Sequence, residues 1–301
     1  MKKIYQISMI CSLVIFMIAL GSCKKDRDDD RTTIISPFKT LSTDPNDLTF
    51  YLLRNGSFLD RYSTVGLDND PTTISITGLG TVKILAIDFR PKTNQLFGLG
   101  NNNTLYLIDA TSGAAIVAPA LFTTATKLPP VDATVARIPV TLDGSMFGFD
   151  FNPMADRLRI ISNTGQSLRI NVETGFTIID GSINPQPASI TSAAYDDNDT
   201  DPATATELYV LDMQSKKFFE VDPPNDGKLI EEGPTKLDLK GEGGLDIAPR
   251  RSGVTTDIGL GIYQLDSKST LFRIDVDNGE TKVLVKYRSD LLYTGLAISP
   301  L

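Results

Sequence analysis

The sequence predicts an all-β protein in which sheets of four short strands repeat around a ring. Three observations predict it. A short anchor segment recurs five times along the chain. Every anchor but the last leads into three further apolar segments separated by turns. The two ends of the chain carry complementary pieces of one repeat.

The anchors are AIDFRP from Ala86, GFDFNP from Gly148, a weaker AAYDDN from Ala193, GLDIAP from Gly244 and GLAISP from Gly295. Each begins with a small residue followed by an apolar one, and proline closes four of them. Second segments follow as QLFGLG, RLRIIS, ELYVLD and GLGIYQLD. Third segments run into glycine turns: TLYLIDATSG, SLRINVETG, KFFEVDPPNDG and TLFRIDVDNG. The fourth are AAIVAPALF, FTIIDGSI, KLIEEGP and TKVLVKY. From anchor proline to turn glycine is 22 residues in two copies, Pro91 to Gly113 and Pro153 to Gly175. The last copy, Pro249 to Gly279, takes 30, with the extra residues in RRSGVTTD.

Short apolar segments with β-branched residues between turns are strands, and no stretch behind the leader has the period of an amphipathic helix. The glycines provide the positive φ that tight hairpins require. Asp109, Asn171 and Asp275 stand four residues before them, placed to accept the turn's own amides. Four strands per repeat, at a period of roughly 50 residues, predict propeller blades.

Closure follows from the ends. The N-terminal part has three strands, around TFYLLR (49–54), SFLDRYSTVG (57–66) and TTISIT (72–77), and no anchor precedes them. GLAISP is an anchor with only Leu301 behind it. Pairing the two completes a blade and closes a five-bladed β-propeller. Six blades would need a further repeat within residues 114 to 143, which read instead as an insertion with a short hairpin.

The chain opens with Lys2, Lys3 and a 17-residue apolar run from Ile4 to Leu20. A charged, apolar and then small order is that of a secretory signal. The run is at the lower limit for a spanning helix. Leu20-Gly21-Ser22-Cys23 resembles the lipobox of bacterial lipoproteins, which implies cleavage before Cys23 and acylation of that cysteine, palmitate among the acyl groups. Several acyl chains on one residue anchor a domain firmly to a membrane. KKDRDDD behind the cysteine resembles the signal that sends lipoproteins to the outer face of the outer membrane. The expected organisation is therefore a signal peptide over 1–22, a charged flexible linker over 23–46 and the propeller over 47–301.

FGFDFNPMADRLRIISNTGQSLRINVETG, IDFRPKTNQLFGLG and VDPPNDGKL, in that order, resemble a bacterial family catalogued as domain of unknown function 4394. The similarity runs from residue 46 to the end, and DDNDTDPATATELY departs from the Asn- and Gly-rich wording expected there. The resemblance implies a secreted or surface-attached β-propeller and carries over no activity, cofactor or catalytic residue.

Composition narrows the chemistry. Lys and Arg number 29 against 37 Asp and Glu, a net charge of −8, and removal of the leader makes it −10. Such a surface repels nucleic acid. The 301 residues include no histidine, which excludes imidazole triads and histidine zinc sites. Of the two cysteines, Cys11 lies in the leader and Cys23 is the lipid site, so the mature chain forms no internal disulfide. The sequence implies no cofactor, apart from a calcium reading taken up below.

Three groups are candidate sites. Asp88, Asp150 and Asp246 hold one equivalent place in three anchors, with Tyr195 and Ala297 there in the other two. On inner strands they ring the central channel or the seams between blades. A carbohydrate-active hydrolase would use them as proton donor and nucleophile or base. Repetition favours a structural role, each Asp bonding the neighbouring blade's backbone, because catalysis needs acids in unlike surroundings. Arg157, Arg159, Arg169 and Gln166 could clamp a carboxylate or sulfate, or else pair with nearby acids and a neighbouring blade. Asp196, Asn198, Thr200 and Glu207 match positions 1, 3, 5 and 12 of a calcium loop, with Asp197, Asp199 and Asp201 as an alternative set. Asp201 stands where the turn glycine belongs, and no helices flank the loop, which favours a polar hairpin. These readings favour a non-enzymatic binding or scaffolding module for protein or glycan, with hydrolysis as the alternative.

Overall fold

The computed structural model describes residues 32–33, 48–118, 123–125, 137–198, 203–248 and 257–300. The leader, Cys23 and the stretch RRSGVTT lie outside these residues, as do Thr200, Asp199 and Asp201. All described regular structure is β. Five antiparallel sheets each contain a four-stranded blade, one of them with a short fifth strand added at its outer edge, and this is a five-bladed β-propeller.

Blade I joins the two ends of the chain. Its inner strand is Tyr293–Ile298, followed outward by Thr49–Arg54, Phe58–Ser63 and Thr72–Ser75. The register sets Phe50 opposite Ile298 and Leu52 opposite Leu296, so the closure expected from the two incomplete ends is present. Blade II contains Ile84–Arg90, Gln95–Gly100, Thr104–Ile108 and Ala115–Val117. Blade III contains Phe147–Asn152, Arg157–Ser162, Ser167–Ile170 and Thr177–Ile179. Blade IV contains Ile190–Tyr195, Leu208–Asp212, Lys217–Val221 and Leu229–Pro234. Blade V contains Lys240–Ile247, Ile258–Leu265, Lys268–Asp275 and Thr281–Lys286. The insertion between blades II and III forms a separate hairpin, Thr123–Ala125 with Arg137–Pro139. Thr32–Thr33 pairs with Val285 and Lys286 on the outer edge of blade V, so part of the expected linker joins a sheet.

The turns behave as their residues dictate. Gly113, Gly175, Gly227 and Gly279 all have φ between 68° and 76°. Asp109 Oδ1 accepts the amides of Thr111 and Ser112, and Asn171 Oδ1 those of Glu173 and Thr174. Gly113 is constrained twice over, because a Cβ there would stand 2.1 Å from Ser75 O on blade I. The turn therefore also docks one blade on the rim of the previous one.

Apolar side chains gather in five clusters, one at each seam between neighbouring blades. Phe97 meets Phe151 across the seam of blades II and III, with ring centroids 5.1 Å apart. Tyr51 meets Phe89 across that of blades I and II. The inner strands stand side by side around the axis in the order of the blades, and the last returns to the first. That proximity explains the small residue opening each anchor. A Cβ on Gly148 would lie 2.6 Å from Ala193 N, and one on Gly244 would lie 2.5 Å from Leu296 N.

The weak anchor needs a one-residue correction. Asp88, Asp150 and Asp246 face Phe97, Arg159 and Leu260 on the second strands of their blades. In blade IV the residue facing the corresponding Tyr209 is Ala194, not Tyr195. The cross-blade bonds agree, because the amide that Asp150 receives is that of Tyr195, the residue after Ala194, just as Asp88 receives Phe151 after Asp150 and Asp246 receives Ile298 after Ala297. The axial ring at this level is thus Asp88, Asp150, Ala194, Asp246 and Ala297, and the small-residue level above it is Ala86, Gly148, Ser192, Gly244 and Gly295.

Candidate functional site: an axial ring of buried aspartates

Three inner strands bring Asp88, Asp150 and Asp246 together at the propeller axis. A carboxylate oxygen from each lies within 4.8 Å of the other two, and all three residues are at least 95 % buried. Ala194 and Ala297, both fully buried, occupy the remaining two places of the ring. Each acid reaches the next blade's inner strand. Asp88 Oδ2 accepts the Phe151 amide at 2.9 Å, Asp150 Oδ2 that of Tyr195 at 2.8 Å, and Asp246 Oδ2 that of Ile298 at 2.6 Å. Asp88 Oδ1 also accepts the Phe89 amide. Asp246 Oδ1 has no hydrogen-bond partner among the described residues. A cavity of about 20 Å³, lined by Asp88, Asp246, Asn198, Pro91 and Pro300, lies against the ring on its proline side.

The electrostatics follow from burial without a counter-charge. Burial pushes the carboxyl of Asp246 up to about 7, against the pull of the Ile298 and Ile247 amides. Asp88 and Asp150 are raised well above the usual carboxylate range, by burial first and then by neighbouring carboxylates of the ring. Among the described residues no Lys or Arg forms an ion pair with any of the three. The unfolded chain releases these protons near 3.8 while the folded one retains them, so folded protein binds more protons between the two values. This contribution is complete below the unfolded value and is lost as pH rises through the folded one. In chelator-treated protein, Tm is therefore expected to fall by several degrees between pH 5 and pH 8. Thermal melts across that range check it, and a Tm that rises or stays level would contradict it.

The arginine group is brought together in part, around a carboxylate of the protein itself. Arg159 is buried and donates from Nη1 to Asp180 Oδ2 at 2.5 Å and from Nη2 to Asn225 Oδ1 in blade IV's turn. Arg169 forks onto both oxygens of Asp180 at 2.6 and 2.9 Å. Arg157 donates instead to the carbonyls of Ala155 and Asp156, and Gln166 bonds the backbone of Thr141 and Asp143. The would-be clamp is thus occupied by seam and turn contacts. A parallel cation was not singled out from the sequence: buried Arg90 of blade II bonds Asp156 and Glu173 of blade III. Its signal was its place two residues after Asp88, next to the anchor proline.

The calcium-loop residues do not assemble as ligands within the described structure. Asp196 Oδ1 accepts the Glu207 amide, Asn198 Nδ2 donates to Ile247 O, and the Glu207 carboxylate accepts the Tyr209 hydroxyl. Asp196 and Glu207 are thus hairpin partners. Burial raises Asp196 to about 7.

The family model described as "Domain of unknown function (DUF4394)" matches residues 59–297, which takes in blades II to V and all of blade I except Thr49–Arg54 and the ends of two further strands. The chain belongs to the DUF4394 family. No curated protein matches it. Among solved structures, this DUF4394 protein is similar to a chain of a nidogen/laminin complex, at 10 % identity and a TM-score of 0.48, covering 84 % of this chain and 98 % of that one. It is also similar to a structural-genomics protein of unknown function from Bacteroides thetaiotaomicron, at 13 % identity and a TM-score of 0.44, covering 85 % and 60 %.

Proposed function

We propose that this DUF4394 protein is a lipid-anchored, extracytoplasmic β-propeller that acts as a non-enzymatic binding or scaffolding module for a protein or glycan. The observation that carries the reading is the state of the three axial acids. They are closed off from solvent, bonded to the next blade's amides and packed against a cavity of about 20 Å³. A sugar ring does not enter such a space, which is near the size of one water. The hydrolase alternative therefore gains no support from this geometry.

Leu20-Gly21-Ser22-Cys23 supports lipid attachment at Cys23, and KKDRDDD supports the outer membrane with the propeller on the cell surface. The net charge of −8 speaks against nucleic acid as the ligand. The test uses the full-length chain solubilised in detergent, screened against glycan and peptide arrays beside an Asp150→Asn variant. Binding that both proteins share, without release of reducing sugar, is expected. Sugar release by the wild type that the variant lacks would replace the binding module with a hydrolase. Palmitate labelling of the cells checks the anchor: label must enter the wild type and be absent from Cys23→Ala.

A further inference from the structure

We propose that Asp88, Asp150 and Asp246 bind one divalent cation of the calcium class on the propeller axis. The proposal is independent of the binding-module reading and stands on the geometry of the ring.

The oxygens are arranged as one ion would need them. Calcium takes oxygen ligands at about 2.3–2.6 Å, so two ligands of one ion lie at most about 5 Å apart. One oxygen from each aspartate lies within 4.8 Å of the other two, so one point lies within about 2.8 Å of all three, and a slight inward movement of the carboxylates brings them to calcium distance. The three come from blades II, III and V, and the alanines of blades I and IV bring no side chain beyond a methyl group to this level.

The hydrogen bonds give a second reason, separate from the distances. The cross-blade amides bond one oxygen of each acid and hold the side chains in orientation. On Asp246 the other oxygen, Oδ1, belongs to a side chain 2 % exposed and accepts no hydrogen bond of normal geometry among the described residues, although the Ile247 amide also pulls on this carboxylate. A buried carboxylate oxygen without a donor costs the protein its full desolvation penalty. A cation supplies what this oxygen lacks, and it also neutralises three acids that meet no Lys or Arg among the described residues. The cavity of about 20 Å³ beside Asp88 and Asp246 has room for a water to extend the coordination.

The donor set selects the metal. Three carboxylates and water are hard oxygen ligands, and the chain has no histidine to favour zinc, copper or nickel. Magnesium demands near-ideal octahedral geometry at about 2.0–2.1 Å, whereas calcium accepts irregular shells. Ligands fixed by the backbones of separate blades suit the more tolerant ion.

The test titrates CaCl2 into the chelator-stripped, full-length chain in detergent, using isothermal calorimetry and thermal melting, with MgCl2 in a parallel arm. One calcium per chain, a Tm raised by several degrees and a weaker response to magnesium are expected. Asp246→Asn should weaken calcium binding at least about tenfold and should melt in chelator no lower than the wild type, since it removes a repelling charge. Asp88→Asn provides the same readout should the first variant fail to fold, and Glu207→Gln serves as the control outside the ring. No calcium binding by the wild type would overturn the proposal. So would binding retained in Asp246→Asn or Asp88→Asn, or binding lost in Glu207→Gln.

Discussion

Deleting the last nine residues, Tyr293 to Leu301, is expected to leave a chain that does not fold. Those residues are the inner strand of blade I and half of its closure. Tyr293, Leu296 and Ile298 are buried, and at about 1.5–3 kcal/mol each they contribute roughly 5–9 kcal/mol. Total stabilities of domains are about 5–15 kcal/mol, so this loss alone is comparable to the whole. More is lost besides. The Tyr293 hydroxyl donates to buried Asp60, which also receives Arg54 and Thr73. The Ile298 amide is the cross-blade donor to Asp246. Thr49–Arg54 would expose a bare inner edge to water and to other chains. The truncated chain should show no cooperative melt by circular dichroism and rapid, uniform proteolysis. A melt within a few degrees of the full-length protein would mean that the ring holds without its last strand.

Arg159→Met should destabilise the protein by about 3–5 kcal/mol, the usual cost of breaking one side of a buried charge pair. Arg159 is 1 % exposed and its guanidinium ties three neighbours to Asp180: Ser167, Asn225 and Tyr195. Methionine replaces its length and leaves Asp180 with Arg169, whose side chain is 30 % exposed and better screened. Arg169→Met should cost about 1 kcal/mol or less for that reason. Arg159→Lys should fall between the two, since a single ammonium reproduces the charge without the planar fork. Urea midpoints at constant m measure all three. Equal effects of the Arg159 and Arg169 substitutions would show that burial does not set the ranking.

Much of this architecture was legible in the sequence because repetition shows itself. The anchors, the glycine turns and the incomplete ends identify strands, blade number and closure without any contact being known. The weak anchor was misplaced by one residue, because AAYDDN offers two registers and only strand pairing separates them. Thr32–Thr33 joining blade V was not legible either, since two threonines in a polar stretch have no strand period. At the candidate site, sequence could say that Asp88, Asp150 and Asp246 were equivalent and inward. It could not say that their oxygens meet within 4.8 Å, because that distance depends on the radius of the ring. Nor does any spacing in the chain reveal Arg159 and Arg169 closing on Asp180, which arises from the crossing of strands with a turn.

The placing of apolar side chains at the seams bears on how such a chain can change over generations. Each blade owns half of two cores, so an added or lost blade must match strangers on both its flanks at once. Compensating substitutions should accordingly appear between successive blades, in pairs such as Phe97 with Phe151. The flanks are free to drift two by two, while the narrow axis, where all five members meet, can alter only by common consent.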